Sequence, residues 1–101
     1  MKHVIITYTV KPEYVEDNVR LIRAVFGELN AKEPGGLRYT SLRAEGGRFF
    51  HIVERAEGSP EFTEFEAFRA FQMDFVERCL IRPEVSRVAV VGSYAKMQDV
   101  P

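Results

Sequence analysis

The sequence predicts an α+β domain with the element order β-α-β-β-α-β, in which four antiparallel strands carry two helices on one face. Three observations lead there. Apolar residues Val15, Val19, Ile22, Phe26 and Leu29 recur at alternating spacings of four and three, which is one face of an α-helix. Two runs rich in β-branched and aromatic residues flank Glu45-Gly46-Gly47, a compact hairpin signal. A late run, Val88-Ala89-Val90-Val91, is apolar on both alternations of a strand.

Each element has its own local cause. His3 to Val10 reads as the first strand, and Lys11-Pro12-Glu13 after it starts a helix, since proline is preorganised for a first helical position. That helix runs from Pro12 to about Leu29. Glu33-Pro34-Gly35-Gly36 ends the helical region, because proline breaks the backbone ladder and glycine admits left-handed turn angles. Leu37 to Ala44 forms the second strand and Arg48 to Arg55 the third, antiparallel to it. Ser59-Pro60-Glu61 supplies an N-cap, a first-turn proline and an acidic residue for the second helix, which is expected to reach about Leu80. Its phenylalanines 62, 65, 68 and 71 are spaced by three, so the first and last point to opposite sides of a straight helix, and a break near Phe68 to Gln72 is expected. Arg82-Pro83 ends the helix in this reading, and Val85 to Tyr94 forms the fourth strand.

This order is that of a split βαβ, ferredoxin-like unit whose second sheet face lacks helices. Because the fourth strand is apolar on both alternations, both sheet faces need cover, and a second subunit's sheet is the economical one. A homodimer through the β-sheet, forming a dimeric α/β barrel, is therefore expected.

Composition limits the function classes. One domain, 1–101, suits a chain of this length, which buries roughly 60 to 70% of its unfolded surface and needs no metal or disulfide staple. Fourteen basic and fifteen acidic side chains give a net charge of -1, without the concentrated positive footprint that nucleic acid requires. The single cysteine, Cys79, carries no oxidising-compartment signature, the opening apolar run is too short for a signal peptide, and no run is long enough to span a bilayer. A cytoplasmic protein with no membrane and no nucleic-acid partner is expected. No ligand spacing for a metal and no phosphate-binding loop occurs, so neither metal nor cofactor is expected.

The opening strand running into Val10-Lys11-Pro12-Glu13, the segment Glu33-Pro34-Gly35-Gly36-Leu37-Arg38-Tyr39, the Phe49 to Glu54 strand and Phe65-Glu66-Ala67-Phe68-Arg69-Ala70-Phe71 together span nearly the whole chain. With these segments the chain resembles the antibiotic biosynthesis monooxygenase domain of the dimeric α/β-barrel superfamily. The resemblance implies a small oxygenase that oxidises phenolic or polycyclic aromatic compounds to quinones without metal or flavin, or a relative without known activity. Haem-degrading relatives use a tryptophan with an asparagine and a histidine, and the absence of any tryptophan disfavours that activity here. Where many members carry a histidine after Glu-Ala in the second helix, this chain has Phe68.

His51 is the candidate catalytic residue: an imidazole in an otherwise apolar strand could accept a phenolic proton near neutral pH, or serve as a hydrogen-bonded structural histidine. Tyr39 and Arg43 share one alternation of the second strand and could hold a ring and an anionic oxygen, although arginine there is equally an ordinary surface cation. Whether His51 joins them depends on the hairpin. A two-residue loop places His51 opposite Thr40 on the other face, whereas a three-residue loop places it opposite Ser41 on theirs. Asn18, on or beside the first helix's buried stripe, could orient a substrate hydroxyl or close a helix-edge hydrogen bond. Tyr8 and Tyr94, read as coming from neighbouring strands, could form a phenol pocket or pack in the core. Phe68 and Phe71 would line an apolar wall for a flat ligand, or simply fill the core.

Overall fold

In a computed structural model that describes residues 2–95, one four-stranded antiparallel sheet has the order β2-β3-β1-β4. β1 (Lys2–Val10) lies between β3 (Arg48–Arg55) and β4 (Cys79–Arg87), and β2 (Leu37–Arg43) pairs with the free side of β3. This is the ferredoxin-like α+β fold that the element order predicts.

Pro12–Tyr14 make a single 3-10 turn before α1 (Val15–Lys32), which runs three residues beyond the expected Leu29. Glu33 ends it in the left-handed region, with its N–H bonded to the Leu29 carbonyl. The centre of the buried face is Asn18, Ile22 and Val25, flanked by the half-buried Val15, Val19, Phe26 and Leu29. A polar side chain thus occupies the middle of the stripe and is fully buried.

The hairpin takes the three-residue option. Ala44 and Arg48 close the loop by a backbone hydrogen bond, Arg43 pairs with Phe49, and Ser41 pairs with His51. Gly46 and Gly47 both adopt positive φ, and a Cβ on Gly47 would lie 2.7 Å from the Val10 carbonyl oxygen. Only glycine allows the loop to sit that close to the end of β1. The consequence is a fixed register: Tyr39, Ser41, His51, Phe49 and Val53 share the face on which Tyr8 and Val10 are buried under α1 and the second helical region.

The second helical region is broken, and further than expected. Phe62–Glu64 form a separate 3-10 turn, α2 spans Glu66–Gln72, and Asp74 in the left-handed region interrupts the chain before a single turn, α3 (Phe75–Arg78). β4 consequently starts at Cys79, not Val85, and it ends at Arg87. Arg82-Pro83 does not terminate a helix. It lies where the β1–β4 register shifts between Thr7 and Thr9, on the edge strand, where a missing proline N–H costs no ladder bond. Residues 88–95 lie outside any strand, although 88–94 were expected to form most of the fourth, and Val91 and Tyr94 are fully exposed. The opposite sheet face carries Ile5, Phe50 and Ile52 half-buried and Leu42 exposed.

Candidate functional site

Within the helix-covered face, the sequence brings six polar side chains from five elements into one line. Arg78 of α3 is 6% exposed and has no carboxylate against it among the described residues. Its Nη1 and Nη2 donate to the carbonyls of Met73 (2.9 Å) and Phe71 (2.7 Å), which the break between α2 and α3 leaves free, and its Nε donates to Asn18 Oδ1 at 3.3 Å. The rings of Phe71 and Phe75 stand 5.3 and 5.5 Å from the guanidinium carbon. Carbonyls and aromatic faces thus stabilise a buried cation in place of a counter-ion.

From Asn18 the line continues inward. Its Nδ2 donates to the Tyr8 hydroxyl at 3.0 Å, Tyr8 Oη lies 2.7 Å from His51 Nε2, and His51 Nδ1 lies 2.7 Å from Ser41 Oγ and 2.9 Å from Tyr39 Oη. Rings enclose the imidazole: Tyr8 stacks on it at 5.3 Å, while Tyr39 and Phe71 meet it edgewise at 5.7 and 5.9 Å. Phe62 and Phe68 extend this aromatic belt from Tyr39 to Phe71.

Burial sets the protonation states. It holds His51 down at about 4, so the imidazole is neutral at physiological pH. It pushes the Tyr39 phenol up to about 12 against a hydrogen bond from Ser41, and raises Tyr8 far above the usual phenol range against the Asn18 hydrogen bond. Both tyrosines therefore keep their protons. Burial likewise raises the Cys79 thiol despite Arg78 beside it, so that Cys79 is a buried thiol, placed at the start of β4 and not on a helix.

A cleft of about 720 Å³ opens between α1 and the β2 edge. Val19, Ile22, Phe26 and Phe49 form its apolar wall, and Tyr39, Ser41 and the exposed Arg23 and Arg43 line it as well. Arg43 also pairs with Glu16 at 3.1 Å. His51 is 3% exposed and does not line the cleft; it reaches it only through Ser41 and Tyr39.

The structure therefore joins His51, Tyr39 and Asn18 in one network and places Arg43 beside the cleft. Three expectations change. Phe68 and Phe71 are not cleft walls, because the helix break turns their rings onto Phe62, His51 and Arg78. Tyr94 joins neither a strand nor Tyr8, since β4 ends seven residues before it. Ser41 and Arg78 enter unforeseen: Ser41 could have been found from the three-residue register, whereas Arg78 carries no sequence signal beyond its place before Cys79. Among the described residues no group of three or more His, Cys, Asp or Glu is arranged to hold a metal, and no helix is long and apolar enough to cross a membrane.

No protein-family model and no curated protein matches the chain. Solved structures do match. An antibiotic biosynthesis monooxygenase superposes with a TM-score of 0.69 at 21% identity, covering 91% of this chain and 100% of its own. A protein from Caulobacter crescentus, provisionally named an antibiotic biosynthesis monooxygenase, gives 0.69 at 18% identity over 90% of each chain. A similarly named protein from Bacteroides thetaiotaomicron gives 0.73 at 12% identity, covering 95% of this chain and 94% of its own. The chain carries the antibiotic biosynthesis monooxygenase-like fold, and at these identities the likeness speaks for the fold alone.

The buried neutral histidine predicts a pH-dependent stability. A group whose folded pKa of about 4 lies below its unfolded value of 6.5 stabilises the fold fully above pH 6.5 and loses that contribution as pH falls toward 4. The size is about 3 kcal/mol. Urea unfolding at pH 7 and pH 4 should therefore show a larger acid loss in the native protein than in His51→Phe, whose carboxylates are the same. Equal losses in the two proteins would place His51 in a polar, solvated site.

Proposed function

We propose that this protein is a cofactor-independent, monooxygenase-like protein that binds a small phenolic aromatic compound in the cleft between α1 and β2. The observation that carries this reading is the pair Tyr39 and Ser41, residues that line an apolar cleft and whose hydroxyls are both hydrogen-bonded to a neutral imidazole. Phe26, Phe49, Val19 and Ile22 suit a flat ring, and the hydroxyls suit its oxygen. Activity on such a ligand would consume dioxygen, one oxygen atom entering the ring as a quinone carbonyl and the other leaving as water. The fold shared with the named monooxygenases supports this reaction class. His51, the candidate catalytic residue, acts from behind Tyr39 and Ser41 in this reading, because its ring does not reach the cleft.

A thermal-shift panel of hydroquinones and polycyclic phenols, followed by oxygen uptake with any ligand that binds, tests the reading. Stabilisation by a phenol that weakens in His51→Gln supports it. Binding without oxygen uptake favours a second reading, a non-catalytic ligand-binding barrel, for which the near-complete burial and double hydrogen bonding of His51 argue. No stabilisation by any member of the panel rejects the phenolic ligand.

We also propose that the helix-free sheet face pairs with a second copy of the chain, since Ile5, Phe50, Ile52 and Leu42 on it are only half covered or exposed. Sedimentation equilibrium at micromolar concentration should return twice the 11.6 kDa chain mass. A monomer would remove the partner. The buried thiol of Cys79 suits a reducing compartment such as the cytoplasm.

A further inference from the structure

The polar line from Arg78 to the cleft has a direction. A guanidinium only donates, so Asn18 must turn its Oδ1 toward Arg78 and its Nδ2 toward Tyr8. The Tyr8 oxygen therefore accepts from Asn18. The phenol's own proton has His51 Nε2 as its remaining partner among the described residues, so Nε2 accepts. A neutral imidazole with a bare Nε2 carries its proton on Nδ1, and Nδ1–H donates to Ser41 Oγ and Tyr39 Oη. Both hydroxyls accept from behind, and because Ser41 also donates to Tyr39, the proton left to turn toward the cleft that these residues line is that of Tyr39.

Resting on the phenolic reading of the cleft, we propose that Arg78 and Asn18 are positioning residues that lock His51 in the Nδ1–H tautomer, so that the Tyr39–Ser41 pair presents a hydrogen-bond donor and the ligand binds as an oxyanion. The ligand class is thereby narrowed to phenolates and the enolates of acidic dicarbonyl compounds, whose anionic oxygen accepts that hydrogen bond in place. Successive donors starting at a buried cation polarise one another in the same sense. Arg23 and Arg43 add positive charge beside the cleft, partly offset by Glu16 on Arg43. Among the described residues, the other polar groups facing His51 are the neutral Tyr8 from β1 and Tyr39 and Ser41 from β2, and α2 contributes the ring of Phe71. In this arrangement His51 does not take the ligand's proton. Its Nδ1 is already a donor.

Asn18→Asp tests the direction with almost no change in volume. A carboxylate accepts from Arg78 on one oxygen and from the Tyr8 hydroxyl on the other, which leaves the Tyr8 oxygen to accept from His51 Nε2–H and makes Nδ1 bare. Long-range 15N–1H NMR of the imidazole at pH 8, with His3→Gln to assign the second histidine, reads the tautomer directly. The bare-nitrogen resonance should fall on Nε2 in the native protein and move to Nδ1 in Asn18→Asp. A merely structural asparagine would not produce that exchange. Should Asn18→Asp fail to fold, the native tautomer alone decides, and a bare Nδ1 or an imidazolium there overturns the proposal.

The ligand half is read with 4-nitrophenol, whose ionisation is visible in its absorption spectrum. Affinity for the native protein should rise about tenfold per pH unit up to the probe's own pKa and then level off, with the bound spectrum that of the phenolate. Asn18→Asp should lose this dependence and bind the phenolate at least about tenfold more weakly. Binding of the neutral phenol by the native protein overturns the proposal while leaving the phenolic reading intact. Absence of binding at every pH, with the Nδ1–H tautomer confirmed, overturns the phenolic reading and the ligand half with it.

Discussion

A buried guanidinium with no carboxylate against it among the described residues is the constraint on which the interior depends. Desolvating such a charge costs several kcal/mol unless every donor finds an acceptor. Arg78 meets that demand by taking two carbonyls from the broken end of α2 and the amide oxygen of Asn18, under the rings of Phe71 and Phe75. The helix break at Asp74 and the asparagine in the middle of a helical apolar stripe then have a shared cause. Each provides an acceptor that a regular helix or an apolar side chain would not.

The sheet supplies the other half of the network through its register. Because Gly47 packs against the Val10 carbonyl, the hairpin closes with three residues, and Ser41 falls opposite His51. A loop one residue shorter would turn His51 to the helix-free face, away from Tyr8 and Asn18. Loop glycines, a buried arginine and a helix break thus converge on the orientation of a single imidazole. The burial that keeps this imidazole neutral also keeps both tyrosines protonated, as a directional chain of donors requires.

The fold was legible because its main elements carry strong periodic signals: the stripe of α1 and the alternation of β1 to β3 each point to one answer. The fourth strand was misplaced for a physical reason. Pro83 is a helix stop in a chain read locally, but an edge strand at a register shift accommodates it, and that environment exists only once β1 is in place. The site was half legible. His51, Tyr39 and Asn18 stood out as polar residues in apolar settings, and the structure joins them. Arg78 falls inside the expected second helix without a signal of its own, and only the break at Asp74 turns it inward. Tyr94 rests on a fourth-strand range, Val85 to Tyr94, that the structure moves to Cys79–Arg87, and the phenylalanines on a spacing that says they share a helix but not which surface they face.

Function here is a matter of where one cleft presents its donors. In the proposed reading, an apolar wall from α1 and Phe49, two hydroxyl-bearing residues of β2 and a neutral histidine behind them make a small site for an electron-rich aromatic oxygen. The most direct test is a crystal structure of the protein soaked with 4-nitrophenol at pH 8. The account predicts the ring against Phe26 and Val19, with its oxygen within hydrogen-bond distance of Tyr39 Oη or Ser41 Oγ. A ring lodged on the helix-free face of the sheet, or an oxygen that touches neither hydroxyl, would contradict it.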